Sequence, residues 1–183
     1  MSSCKTKKQL RDYAKRVRKA IPLTRRLEAH QRFISMLPSF DHHSLVLSYA
    51  SFNDEFDMEK VNRRLIEQGR LLLPKTEKDH TLRIFRVTDI ERQLKMGSYG
   101  IMEPDPDSCE EVLPSSISLV FVPAVAFDRK KHRLGYGQGC YDRFLSSVPS
   151  STCSIGIGYH EQLMDTPIPV EANDLFLTDL RLF

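Results

Sequence analysis

Near the start of the chain, apolar residues return every three or four positions: Leu10, Tyr13, Ala14, Val17, Ala20 and Ile21 form one stripe of a helix running from Cys4 to Ile21. Pro22 stops it. A second helix is predicted from about Thr24 to Leu37, with Leu27, Phe33, Ile34 and Leu37 inward and Pro38 as terminator. The period then shortens to that of strands. LVLSYA (Leu45 to Ala50) reads as the first strand, and Asp57 is placed to cap a helix through Met58, Val61, Leu65 and Ile66 that Gly69 closes. RLLLPK (Arg70 to Lys75) and LRIFRV (Leu82 to Val87) follow as strands, Thr88 to Met96 as a helix, and Gly97 as a turn. The Pro-rich stretch from Glu103 to Ser116 reads as a long surface loop.

ISLVFVPAVAFD, Ile117 to Asp128, is apolar on both faces, as a central strand covered from both sides must be. A short helix through Tyr141, Phe144, Leu145 and Val148, a strand CSIGIGY (Cys153 to Tyr159) and a last strand near Asp174 to Thr178 complete the pattern. Strands alternating with helices predict an α/β fold: one domain over residues 1–183, an open and largely parallel sheet with helices on both faces in three α/β/α layers. In such folds the ligand crevice lies at the carboxyl ends of the strands.

A hydrophobic share of 40% excludes disordered and fibrous classes. The apolar run around Leu119 to Phe127 is broken by Pro123 and too short for a bilayer, so a cytoplasmic protein without a membrane partner is expected. Cys4, Cys109, Cys140 and Cys153 form no CxxC pair, which predicts reduced thiols and no zinc site. Net charge is +3, yet the first 26 residues hold ten Lys or Arg against the single acid Asp12, leaving 17 basic against 23 acidic residues beyond. Such a basic helix is a solvated surface or a polyanion site. With Tyr13 its sole aromatic it offers no base-stacking platform, so nucleic acid ranks below phosphate-bearing small molecules.

The segment RLGYGQGCYDRFL, Arg133 to Leu145, concentrates the candidate chemistry. Gly135, Gly137 and Gly139 alternate, so main-chain N–H groups can approach an anion with no Cβ in the way. The loop feeds a helix start, where orphan N–H groups favour negative charge. Asp142 falls in that first turn, suited to hold a Mg²⁺ that phosphates also bind. The same residues equally suit a tight turn with an ordinary helix-start acid, and the segment matches neither the P-loop nor the dinucleotide fingerprint.

Taken in order, KKQLR (Lys7 to Arg11), SYASFNDEFD (Ser48 to Asp57), LLLPK, GSYGIMEP (Gly97 to Pro104), VPAVAFD, RLGYGQGCYDRFL, GYHEQL (Gly158 to Leu163) and DLFLT resemble the 5-formyltetrahydrofolate cyclo-ligase family over nearly the full length. The glycine loop with the preceding VPxxAFD carries the resemblance most specifically. It implies an ATP-driven ring closure of a reduced folate to the 5,10-methenyl form by a monomeric enzyme, with Mg²⁺ as cofactor. Carried over by position, Lys7 and Arg11 reach ATP phosphates and, for Arg11, the folate as well. Arg133, Leu134, Gly135, Tyr136, Gly137, Gln138, Gly139, Cys140 and Tyr141 form the nucleotide loop, with Arg133 and Tyr141 at the reacting groups and Gly137 and Tyr141 also touching folate. Glu55 accepts from the pterin, Phe52, Tyr99 and Ile101 line its pocket, Glu103 shapes a turn, and Asp142 and Asp174 hold the metal. Asp174 can instead match an upstream acid of the same segment. Gln162 also falls at a family position, without a role that its chemistry suggests.

Three positions depart from the family pattern: Lys131 stands where glycine is usual, Cys140 where an aromatic is, and Met58 where threonine is. Two other readings stay open on the residues alone. One is a phosphosugar-binding or CoA-transferase-like α/β protein without folate activity, the other a nucleic-acid binder acting through the basic first helix.

Overall fold

The computed structural model describes residues 6–97, 99–171 and 173–183, so the predicted start at Cys4 lies outside the described residues. In chain order the elements are α1 (Lys7–Lys19), α2 (Leu23–Met36), β1 (Val46–Leu47), α3 (Glu59–Glu67), β2 (Leu71–Thr76) and β3 (Leu82–Arg86). There follow α4 (Ile90–Gln93), β4 (Leu94–Met96), β5 (Met102–Pro104), β6 (Glu110–Glu111), β7 (Leu119–Val122) and β8 (Ala126–Asp128). The chain closes with β9 (Arg133–Leu134), α5 (Cys140–Leu145), β10 (Cys153–Gly158), β11 (Leu163–Met164) and β12 (Asp179–Leu182).

The main sheet has the order β12-β10-β7-β1-β2-β3-β6. Its pairs from β12 across to β2 are parallel, while β2–β3 and β3–β6 are antiparallel, giving the largely parallel α/β sheet that the pattern predicts. Alternation sorts the side chains. Val46, Leu71, Leu73, Leu119, Phe121, Ile155 and Ile157 face one way, into a core completed by Phe33 of α2 and Val61 and Leu65 of α3. Leu47, Leu72, Ile84, Val120 and Val122 face the other, against Phe144 of α5. α1 covers a third, smaller core of Leu10, Ala14, Val125, Ala126 and Leu134.

Several expectations are corrected. Leu27 is exposed, because the buried face of α2 runs through Ala29 and Phe33. Only Ile90–Gln93 of the predicted Thr88–Met96 helix is helical, since Leu94–Met96 pairs with Met102–Pro104 as a hairpin. The stretch from Glu103 onward is less a surface loop than expected: Glu103 and Asp105 are buried, and Glu110–Glu111 joins the main sheet. Residues 174–178 carry no strand; the edge strand is Asp179–Leu182.

The predicted central strand splits at Pro123, which has no N–H for the ladder. Its second half leaves the main sheet and pairs with β9 and β11. Buried Gln162 holds this break, donating from Nε2 to Ala124 O (2.8 Å) and Val125 O (3.3 Å) while its Oε1 accepts from Tyr159 N (2.9 Å). That gives Gln162 the structural task its sequence position leaves undefined. The turn from β8 to β9 puts Lys131 at φ 66°, a left-handed conformation that accounts for glycine as the usual residue there and costs a side chain about 1 kcal/mol. Lys131 compensates by donating from Nζ to Thr178 O (2.6 Å).

At Gly156 an added Cβ would lie 2.5 Å from Phe127, 2.7 Å from Leu180 and 2.8 Å from Leu177, all in packed core. Gly156→Ala is therefore expected to cost roughly 1–3 kcal/mol through overpacking, a fall of about 3–10 °C in melting temperature. An unchanged melting temperature in a calorimetric scan would refute the packing described here.

Candidate functional site

The carboxyl end of β1 leads into residues 48–57, the β8–β9 hairpin leads into the glycine loop, and the stretch before β12 carries Asp174; Tyr136 to Glu55 and Leu175 N to Asp142 join the three. The glycine loop is permissive by construction. Gly137 and Gly139 have φ of 108° and 68°, and a Cβ at Gly135 would meet nothing within 4 Å. Among the described residues, none accepts a hydrogen bond from the main-chain N–H groups of Gly135 to Gly139. The loop is tied through its carbonyls instead, with Arg11 Nε donating to Gly135 O (2.8 Å) and Arg143 to Gln138 O (2.7 Å). Leu134 differs from its neighbours, being a buried core residue whose carbonyl accepts from Val125 N (2.8 Å).

The structure sets the expected cations against the expected metal acids. Lys7 Nζ sits 2.6 Å from Asp174 and 2.9 Å from Glu171. Arg133, its side chain 4% exposed, donates to Asp142 Oδ1 (2.5 Å) and to Leu175 O (2.8 Å). Leu175 N also donates to Asp142 Oδ1 (3.1 Å), which brings the Asp174 segment to the first turn of α5. Burial is the largest influence on Asp174 and opposes its charge, but the hydrogen bonds from Lys7 and Glu171 N together with the charges of Lys7 and Arg133 hold the carboxyl below the ordinary range. Burial lowers Arg133, against the charges of Asp142, Tyr141 and Asp174.

No hydrogen bond from a described residue reaches Asp142 Oδ2 or Asp174 Oδ1, so each acid keeps one oxygen free. No group of three or more His, Cys, Asp or Glu is assembled among the described residues. Two hard oxygen donors beside a loop of free amides suit Mg²⁺, which keeps several waters and shares phosphate oxygens. They do not suit a metal that needs a complete protein cage.

On the other side of the loop, Glu55 Oε2 accepts from Phe52 N (3.1 Å) and its Oε1 from the Tyr136 hydroxyl (2.7 Å). Burial raises the Glu55 carboxyl, with Tyr136 and Arg18 acting against it. Burial and then the Glu55 charge push the Tyr141 phenol well above its ordinary value, so these two groups share one environment. Phe52 comes 3.7 Å from where a Cβ on Gly100 would be, placing the β4–β5 hairpin beside it. Ile101 is half-buried there, while Tyr99 is exposed and meets His80 at 3.4 Å. Glu103 occupies the space beside Gly97, where a Cβ would fall 2.2 Å from its carboxylate, and accepts from Thr76 N (3.2 Å). Cys140 is half-buried and burial raises its thiol. Met58 is fully buried, and with no threonine hydroxyl to cap α3, Asp57 Oδ1 accepts from Glu59 N (2.8 Å).

Sequence reasoning missed Arg18, which is 2% exposed and binds Asp54 through Nε (3.0 Å) and a terminal nitrogen (3.1 Å). The signal was present: Lys7, Arg11, Lys15 and Arg18 recur at helical spacing on α1. Lys7, Arg11 and Arg18 turn inward to other segments, so these three are not solvated surface charges. A cavity of about 400 Å³ between α2 and α3, floored by Phe121 and Val46 and rimmed by Lys60 and Arg70, lies at the opposite ends of the strands and contains none of these groups. No helix among the described residues is long and apolar enough to cross a membrane.

Residues 3–181 match the model of the 5-formyltetrahydrofolate cyclo-ligase family. The chain is 32% identical over 139 residues to a 5-formyltetrahydrofolate cyclo-ligase of Haemophilus influenzae, covering 72% of each chain. It is 29% identical to a probable 5-formyltetrahydrofolate cyclo-ligase of Schizosaccharomyces pombe, a match spanning 59% of this chain and 58% of the relative. A solved structure of a 5,10-methenyltetrahydrofolate synthetase from Aquifex aeolicus superposes with a TM-score of 0.82 at 30% identity, over 95% of this chain and 88% of that one.

Proposed function

Because the chain belongs to the 5-formyltetrahydrofolate cyclo-ligase family, we propose that it closes 5-formyltetrahydrofolate to 5,10-methenyltetrahydrofolate, converting ATP to ADP and phosphate. The observation that carries this reading is the run of unengaged amides from Gly135 to Gly139, flanked by Arg11 and by the Arg133–Asp142 pair. It offers a phosphate cradle beside metal-binding oxygens.

A formyl oxygen is a poor leaving group. In the proposed reaction it takes the terminal phosphoryl group of ATP and releases ADP. N10 of the same folate then bonds to the formyl carbon and loses its proton, and phosphate departs with the formyl oxygen. Such chemistry needs positioning and charge neutralisation rather than a nucleophilic side chain. The amides of residues 135–139 bind phosphate, and Lys7, Arg11 and Arg133 neutralise it, with Arg133 also held in place by Asp142. Asp142 Oδ2 and Asp174 Oδ1 would hold Mg²⁺, which supplies further charge neutralisation on the phosphates. Glu55 receives the N–H edge of the pterin, Phe52, Tyr99 and Ile101 pack on its ring, and Tyr141, at the start of α5, acts at the reacting end. The protein acts as a monomer in this scheme.

Purified protein mixed with 5-formyltetrahydrofolate and MgATP is expected to develop the near-ultraviolet absorbance of the methenyl product, with one ADP per folate. Absence of that band with enzyme equal to substrate would remove the proposal.

A further inference from the structure

The hydroxyl of Tyr136 joins two segments that the reaction assigns to different substrates. Tyr136 belongs to the glycine loop, and its hydroxyl lies 2.7 Å from Glu55 Oε1 in the loop after β1. The same oxygen accepts from Arg18 (2.9 Å). A guanidinium has only donors, so the one phenolic proton points at Glu55 and the direction of the bond is fixed. Arg18 is itself immobilised by Asp54 at 3.0 and 3.1 Å and by donation to Ala124 O (3.2 Å). Lys15 lies 5.2 Å over the Tyr136 ring.

We propose that Tyr136 is a positioning residue that couples the two substrate sites: held by Arg18, its hydroxyl fixes the orientation of Glu55, so that a nucleotide on the glycine loop strengthens folate binding. The inference rests on the reaction assigned above. Its physical basis is a shared ordering cost. The loop has glycines on both sides of Tyr136 and is tied only through the carbonyls of Gly135 and Gln138, with no partners for its amides, so phosphate contacts order it further and keep the hydroxyl on Glu55 for more of the time. A carboxylate already held by Tyr136 and by Phe52 N presents its remaining lone pairs to a pterin without first losing rotational freedom. Reciprocity requires folate to tighten nucleotide binding by the same factor.

The test is calorimetric, on the full chain and its Tyr136→Phe variant, using 5-formyltetrahydrofolate with and without a saturating non-hydrolysable ATP analogue and Mg²⁺. In the wild-type protein the analogue is expected to lower the folate Kd roughly tenfold, within the usual range of coupling between sites. In Tyr136→Phe that factor is expected to fall to about one to two, with the KM for folate rising more than kcat falls, because the hydrogen bonds from Arg18 to the hydroxyl and from the hydroxyl to Glu55 have both gone. Loss of the hydroxyl takes a partner from buried Arg18 and from Glu55, so Tyr136→Phe is expected to melt a few degrees lower, and the coupling factor rather than stability is the readout. A wild-type factor near one, or a variant that keeps the full factor, would overturn the coupling while leaving the reaction assignment intact. A wild-type protein that binds neither ligand would overturn that assignment and the coupling with it.

Discussion

Replacing Asp142 by asparagine is expected to lower turnover by about 10²–10³-fold while leaving most of the fold's stability. Asparagine keeps Oδ1 as an acceptor for Arg133 and for Leu175 N but removes the negative charge and puts an amide nitrogen in place of the free Oδ2, which cannot hold Mg²⁺. Asp142→Ala should lose activity at least as severely and also lose stability, by roughly 2–4 kcal/mol, because it strands a buried guanidinium. From its place in a first helical turn alone, Asp142 would be assigned only a modest share of stability. The Arg133 side chain, 4% exposed, changes that assignment. Steady-state assays and thermal scans on both variants separate the two effects. Normal turnover in Asp142→Asn would end the case for a metal at this acid.

Gly137→Val is expected to abolish protection by nucleotide. At about 100 times its Kd, MgATP analogue should add roughly 2.7 kcal/mol to wild-type stability, a shift of several degrees. Gly137 has φ of 108°, forbidden to a β-branched residue, and its Cβ position lies 3.4 Å from the Arg11 guanidinium. A valine there would both reshape the loop and push Arg11 off Gly135 O. The variant should show no shift with nucleotide in a thermal scan, whereas Cys140→Ala should behave like wild type. A Gly137→Val protein protected as well as wild type would show that the loop does not contact phosphate.

Much of the fold is legible along the chain. The helices over residues 7–19 and 23–36 and the strands at 71–76, 82–86 and 153–158 follow local periods that survive packing. Errors fell where local pattern and tertiary pairing disagree. Leu94–Met96 continues a plausible helix yet finds Met102–Pro104 across a glycine turn, and ladder hydrogen bonds prevail over a short helix's weak propensity. Residues 117–128 look like one strand because both halves are buried, though in different sheets.

The site divides in the same way. Glycine spacing marks the loop proposed to hold the nucleotide and the order of the motifs marks the family, because both are properties of neighbours in the chain. The roles of Arg18, of Gln162 at the strand break and of Asp142 as the counter-charge of Arg133 depend on partners 36, 38 and 9 residues away. The sequence by itself determined the α/β class and the alternating burial of the strands, and it marks residues 133–145 as the segment proposed to hold phosphate, since each follows from side-chain type and local period. Only the tertiary structure decided which cation meets which acid and that Tyr136 bridges to Glu55, because charge pairing acts through distances that folding, and not chain order, sets.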